Sequence, residues 1–299
     1  MRSARLLPLA LCLALPASAQ DAQEARDRGF ITGLIEDNLS APGLSVRIEG
    51  FEGALSSAAS LQTLTVSDDE GVWLRLEDVV LDWNRSALLR GRLEVEELTA
   101  GLIAVERAPL PAEGAALPDA GAGGFSIPDL PVSVDIELIR ADRIELGAPL
   151  LGQDLALSLE AQARLADGSG EVTVTADRLD GPAGTFDIAL GFDADTTLLS
   201  VDVAVSEAAD GIAATLLNLP GAPAIDLSIE GEGPLDDFAA DIAIASEGEE
   251  RLGGQVTLTG VEDGRRFAVD VGGDVTTLFA PRYRPFFGED VGLRLTGVQ

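Results

Sequence analysis

The sequence predicts an all-β (mainly) protein: an elongated, twisted antiparallel sheet with one apolar face, preceded by a short amphipathic helix. Three observations predict it. From about Leu44 onward apolar residues fall on every second position, the strand-like runs follow one another without intervening helices, and Asp-Gly pairs separate several of them. Side chains on a strand alternate between the two faces of its sheet, so each run builds one greasy and one wetted face. Val132, Val134, Ile136 and Leu138 form one such run, Leu155, Leu157, Leu159, Ala161, Ala163 and Leu165 another, and Phe238, Ala240, Ile242 and Ile244 a third.

The N-terminus reads as an export signal over residues 1–19. Arg2 and Arg5 are its positive region, Leu6 to Leu15 its apolar core, and Pro16 with Ala17, Ser18 and Ala19 its cleavage site, leaving Gln20 first. The alternative is a retained signal anchor. The core is shorter than the ~20 residues that span a bilayer, and no later segment spans one either. Cys12, the one cysteine, lies inside the signal, so the mature chain has no disulfide and no thiol chemistry.

Within residues 20–41, Phe30, Ile31, Leu34, Ile35 and Leu39 recur at helical spacing from Glu24 onward, which predicts an amphipathic helix capping the sheet. The first β region covers 42–107. There Leu74 and Leu76 occupy even positions but Val79, Leu81 and Trp83 odd ones, so a bulge or bend is expected near Asp78. Trp83 continues the apolar face and Trp73 is expected on the opposite, more exposed one. Residues 108–131 carry Pro109, Pro111, Pro118, Pro128 and Pro131 among glycines and read as a loop or linker. Strands resume over 132–299, with Asp167-Gly168, Asp180-Gly181 and Asp263-Gly264 as hairpin turns. One short helix is expected near Asp210 to Leu217. The total is roughly fifteen strands, which at ~4.8 Å each would extend about 70 Å.

Acidic residues outnumber basic ones 51 to 20, the basic ones are all Arg, and His is absent. Such a chain repels phosphate backbones and anionic lipid surfaces, so nucleic acid is not an expected partner. No His, Lys or mature Cys means no imidazole base, no thiolate, no Cys/His zinc site, no Schiff base and no Gly-Lys phosphate loop. The expectation is no enzyme, no metal and no cofactor. Carboxylate pairs at Asp68-Asp69, Asp236-Asp237 and Asp193 with Asp195 sit at predicted turns and read as solvated turn residues.

The stretch from Arg28 to Arg107 adds a specific likeness. Val46 to Gly53, Leu61 to Asp68, and Gly71 to Leu74 running into Val79-Val80-Leu81-Asp82-Trp83-Asn84-Arg85-Ser86-Ala87-Leu88-Leu89-Arg90-Gly91-Arg92-Leu93-Glu94-Val95 resemble the N-terminal region of the TamB family. These are the inner-membrane subunits of translocation and assembly modules, within the AsmA-like bridge-like lipid transfer superfamily. The signature is a strand ending in Trp, a turn with paired leucines and a Gly, then a strand back: here Trp83, Asn84, Leu88, Leu89 and Gly91. The acidic, Lys-free character resembles the alphaproteobacterial branch.

The resemblance implies a sheet folded into a U-shaped hydrophobic groove that carries phospholipid acyl chains between inner and outer membrane. It also implies a periplasmic location at the inner membrane, and an Omp85-class outer-membrane barrel as partner in outer-membrane protein and autotransporter assembly. Two departures stand out: the family usually keeps an uncleaved anchor, and its C-terminal, barrel-meeting domain is not in this sequence. The final run, Val291 to Leu295, alternates to the end, so a fragment of a longer protein is expected.

On this reading Val46, Ile48, Val134, Ile136, Leu157, Leu159, Ile188, Val203, Leu227, Ile242 and Val269 face the groove. Aromatics are only 4% of the chain, so that face is expected to be aliphatic. Apart from the resemblance, two such faces closing on each other as a sandwich or barrel core explain the pattern equally well. A secreted β-rich adhesin or passenger domain and a structural scaffold with a closed core therefore stand as alternatives.

Overall fold

The computed structural model describes residues 36, 40, 43–53, 57–110, 132–216, 218–261, 264–279, 282 and 291–298. They form one twisted sheet of fourteen strands in strict chain order, not closed into a barrel. The strands are β1 (Ser45–Glu49), β2 (Ala58–Asp68), β3 (Gly71–Trp83), β4 (Arg92–Val105), β5 (Ser133–Leu146), β6 (Leu155–Ala166) and β7 (Ser169–Arg178). They continue as β8 (Gly184–Asp193), β9 (Leu198–Glu207), β10 (Ile225–Pro234), β11 (Asp237–Ser246), β12 (Glu249–Val261), β13 (Gly264–Gly273) and β14 (Val291–Val298). Three short helices sit in connections: α1 (Arg85–Leu88), α2 (Ala148–Leu151) and α3 (Ile212–Leu216). The last lies where the sequence predicts it.

Every neighbouring pair is antiparallel except β4 and β5, which run parallel, with Leu93 beside Val134 and Val105 beside Leu146. This corrects the all-antiparallel expectation. Parallel neighbours need a long crossover, and the Pro/Gly-rich stretch between Val105 and Ser133 supplies it. Most of that stretch, like the signal and nearly all of the expected N-terminal helix, lies outside the described residues.

Turn chemistry follows the sequence in part. Asp167 and Gly168 both have positive φ, 51° and 77°, the conformation a two-residue hairpin needs and that Asp-Gly tolerates. Glu247 and Gly248 do the same without an Asp-Gly signal. Asp180-Gly181 instead lies within a longer connection. Gly264 is already in β13, paired with Val261, so Asp263-Gly264 is not the centre of its turn.

The phase change near Asp78 is a crease. Asp78 has φ 51° inside β3, and the apolar set switches parity in the partner strands too: Leu61 and Leu64 in β2 face Val79 and Leu76. Register shifts follow at Ile136/Ile139 and Ala141/Ile144 in β5. The first of these means that Ile139, rather than Leu138, continues the apolar face, opposite Ala161. Another bulge, at Val66/Ser67, corrects the reading of Trp73: its ring packs with Val46, Ile48 and Val66, beside Leu74, not on an exposed face.

Candidate functional site: one apolar face across the sheet

Residues paired across a ladder share a face, so the register traces the face directly. A single row runs Ala59, Leu81, Leu98, Ile139, Ala161, Val174, Ile188, Val203, Ile229, Ile242, Gly254, Val271, Leu293, from β2 to β14. No charged residue interrupts it. The glycine is forced: a Cβ on Gly254 would lie 2.1 Å from the Asp270 carbonyl oxygen.

All eleven groove positions named from the sequence lie on this face. Ile188, Val203 and Ile242 are in the row itself. Leu159, paired with Ala141, and Leu227, paired with Val205 and Ile244, are in the next row on one side. Val134, Ile136 and Val269 lie toward the other end, and Leu157, beside Ile144, near the α2 end. Val46 and Ile48 differ from the rest, being buried in a cluster with Val66, Phe51, Leu61, Leu64, Trp73 and Leu74.

Elsewhere the face mixes partly exposed residues with buried ones, among them Val95, Ala141, Leu155, Phe238 and Val271. Leu157, Leu159, Ile188, Val203, Leu227, Ile242 and Val269 are each only partly buried, and no large side chain among the described residues is fully enclosed. The inner face of a closed sandwich would bury them. Aromatics take a larger share than expected. Phe192, Phe238 and Phe267 occupy one row near the hairpin end of the face, with Leu199, Gly233 and Leu258 between them.

The opposite face is polar. Its matching row reads Gln162, Thr173, Ala189, Asp202, Glu230, Asp241, Gln255, Asp270, Arg294. Arg294 Nε donates to Asp270 at 3.1 Å and Arg164 Nε to Asp135 at 3.1 Å, tying strands together on the wetted side. Between β6 and β9 this face holds an open cleft of about 400 Å³ lined by Arg164, Glu171, Thr173 and Ser200 among others.

Where α3 folds over, the α2 end of the apolar face is closed by an ionic group that sequence reading missed. Arg178 and Glu207 follow the apolar residues of their strands, and their side chains are only 2% and 1% exposed. Arg178 grips Asp180 through Nε at 3.0 Å and Nη2 at 2.7 Å, which holds the Asp180 carboxyl below its usual range. Glu207 accepts the N–H groups of Ile212 and Ala213 at 2.8 and 2.7 Å, seating the first turn of α3. The buried Ile225 and Ala214 pack at this end.

The carboxylate pairs have structural roles. Asp236 accepts Arg265 Nε at 2.8 Å, and Asp193 accepts the Thr196 N–H and hydroxyl, which lowers its pKa. Asp68 corrects the expectation of a solvated turn residue: its side chain is buried under Arg107. Among the described residues no cluster of His, Cys, Asp and Glu could hold a metal ion, and no helix is long and apolar enough to cross a membrane.

The signature residues close one hairpin. Trp83 ends β3 opposite Val95, Asn84 Nδ2 donates to Glu94 Oε2 at 2.8 Å, Leu88 and Leu89 end α1, and Gly91 with φ 73° turns the chain into β4. No protein-family model matches the chain, and neither a curated protein nor a solved structure is significantly similar to it.

Proposed function

We propose that this chain is the periplasmic part of a TamB-like, AsmA-type conduit that carries phospholipid acyl chains between the inner and outer membranes of a Gram-negative envelope. One observation carries the reading: an uncharged apolar row crosses thirteen strands, and most of its residues stay partly exposed. Exposed apolar surface on this scale is a liability unless something covers it. Acyl chains suit a continuous, mainly aliphatic wall. At ~0.8 kcal/mol per buried CH₂, a sixteen-carbon tail gains about 12 kcal/mol, and a continuous wall lets that gain persist as the tail slides.

Fourteen strands at ~4.8 Å spacing extend roughly 60 Å across the strand direction, a span that makes this unit one section of a bridge. Support for outer-membrane protein assembly through an Omp85-class barrel belongs to the same proposal and rests on the likeness around Trp83. The test is lipid mass spectrometry on the purified chain. Phospholipid near one or more molecules per chain supports the conduit. A lipid-free chain that stays folded, monomeric and half-open favours the adhesin or scaffold class.

A further inference from the structure

The connection between β3 and β4 is unlike every other connection in the chain. Residues Asn84 to Gly91 contain no acid, whereas each remaining connection carries at least one, including Asp69 and Glu70, Asp154, Asp167, Asp180, Asp195, Asp210, Asp236 and Glu247. In a chain of net charge −31, Arg85, Arg90 and Arg92 therefore make a cationic island. Arg92 leans on Glu94 at 2.8 Å, but among the described residues neither Arg85 nor Arg90 forms an ion pair.

Two leucines project from the same tip, Leu88 at 40% and Leu89 at 91% exposure. They stand on a firm base. Ala87 is wholly buried, α1 packs on β4, and Asn84 is hydrogen-bonded to Glu94 through backbone and side chain. Directly behind the tip, Trp83, Val95, Ile136 and Ala163 are paired in sequence as a row of the apolar face. The greasy surface thus continues from the sheet to the projecting leucines.

We propose that this tip is a bilayer contact: Leu88 and Leu89 enter the acyl boundary of an anionic leaflet while Arg85, Arg90 and Arg92 meet its phosphates. The inference rests on the conduit reading and locates where lipid would pass between bilayer and sheet. Charge complementarity selects the occupant. The chain as a whole repels an anionic surface, and this is the connection where the sign reverses beside exposed apolar groups. Arginine stems lie along apolar surface while their heads reach phosphate, which suits the headgroup boundary.

The test places an environment-sensitive fluorophore on Ser86→Cys in a Cys12→Ser background of the full chain. Vesicles of phosphatidylcholine, with and without phosphatidylglycerol, are added at physiological ionic strength, where a Debye length of ~8 Å screens distant acids. A blue shift that is stronger with phosphatidylglycerol is expected. Leu88→Asn with Leu89→Asn should weaken it at least ~10-fold, and Arg85→Gln with Arg90→Gln about 5-fold per arginine. No shift, a shift indifferent to phosphatidylglycerol, or a shift unchanged in the leucine variant overturns the proposal and leaves a protein contact as the use of the tip. Lipid bound to the same preparations separates the two readings: lipid present with a silent tip overturns the tip alone, and a responsive tip on a lipid-free chain overturns the conduit alone.

Discussion

Arg107 clamps Asp68 across an intervening strand: Nη1 donates to one carboxylate oxygen at 2.9 Å and Nη2 to the other, joining the ends of β2 and β4 over the start of β3. The N–H groups of Glu70 and Leu110 add 2.9 Å bonds to the same carboxylate. The Arg107 guanidinium, with those N–H groups, holds the Asp68 carboxyl far below the usual carboxylate range. A depressed folded-state pKa stabilises the fold above the unfolded value of ~3.9, and that stabilisation drains as pH falls below it. Wild type should therefore lose stability steeply below about pH 4. Asp68→Asn should have a lower denaturation midpoint at neutral pH and a flatter acid limb, both read by circular dichroism. Parallel acid limbs would remove Asp68 from the account.

Alternation made the apolar face legible because a two-residue period survives any fold that keeps the pairing. What it hid was local. A bulge adds one residue without a sequence mark, so Trp73 and Ile139 changed sides relative to simple parity, whereas the flip at Asp78 was readable because apolar residues bracket it on both sides. The parallel β4–β5 pair was hidden because a long Pro/Gly-rich stretch serves a linker and a crossover equally well. Arg178 and Glu207 were missed because a charged residue at a strand end ordinarily reads as solvated. Only the placement of α3 shows them to be covered.

Charge placed on the open face separates binding from folding. Ile136 and Leu159 are partly buried, so Ile136→Asp or Leu159→Asp meets solvent on one side and should leave the far-ultraviolet spectrum and cooperative unfolding in place. Captured phospholipid should fall several-fold in either variant, since a carboxylate beside an acyl chain is costly to desolvate. Thr173→Asp, on the polar face, is the matched control and should bind as wild type does. Undiminished lipid in Leu159→Asp would count against the apolar face as the binding surface.

On the polar face Glu230 lies directly between Asp202 and Asp241. Like charges opposite one another in a ladder are destabilising, and opposite charges stabilise by roughly 0.2–1 kcal/mol. Glu230→Arg should raise the urea midpoint, more at low than at high salt because screening weakens both the original repulsion and the new attraction. An unchanged or lowered midpoint at low salt would show that the three carboxylates do not feel one another.

Glu207 holds two things at once, the N–H groups of Ile212 and Ala213 and, at 3.7 Å, the Arg178 guanidinium. Removing Glu207 leaves Arg178 paired with Asp180 alone and leaves two N–H groups of α3 without their acceptor, a loss on the order of 2 kcal/mol. Glu207→Ala should approach that loss by urea denaturation and should also loosen α3, so limited proteolysis near Leu216, already exposed, should accelerate. Glu207→Gln keeps one of the two acceptor oxygens for α3 but not the charge, and should recover protection from proteolysis better than it recovers stability. If the two variants behave alike in both measurements, the acceptor that glutamine retains makes no difference and the charge of the carboxylate is the whole of its role.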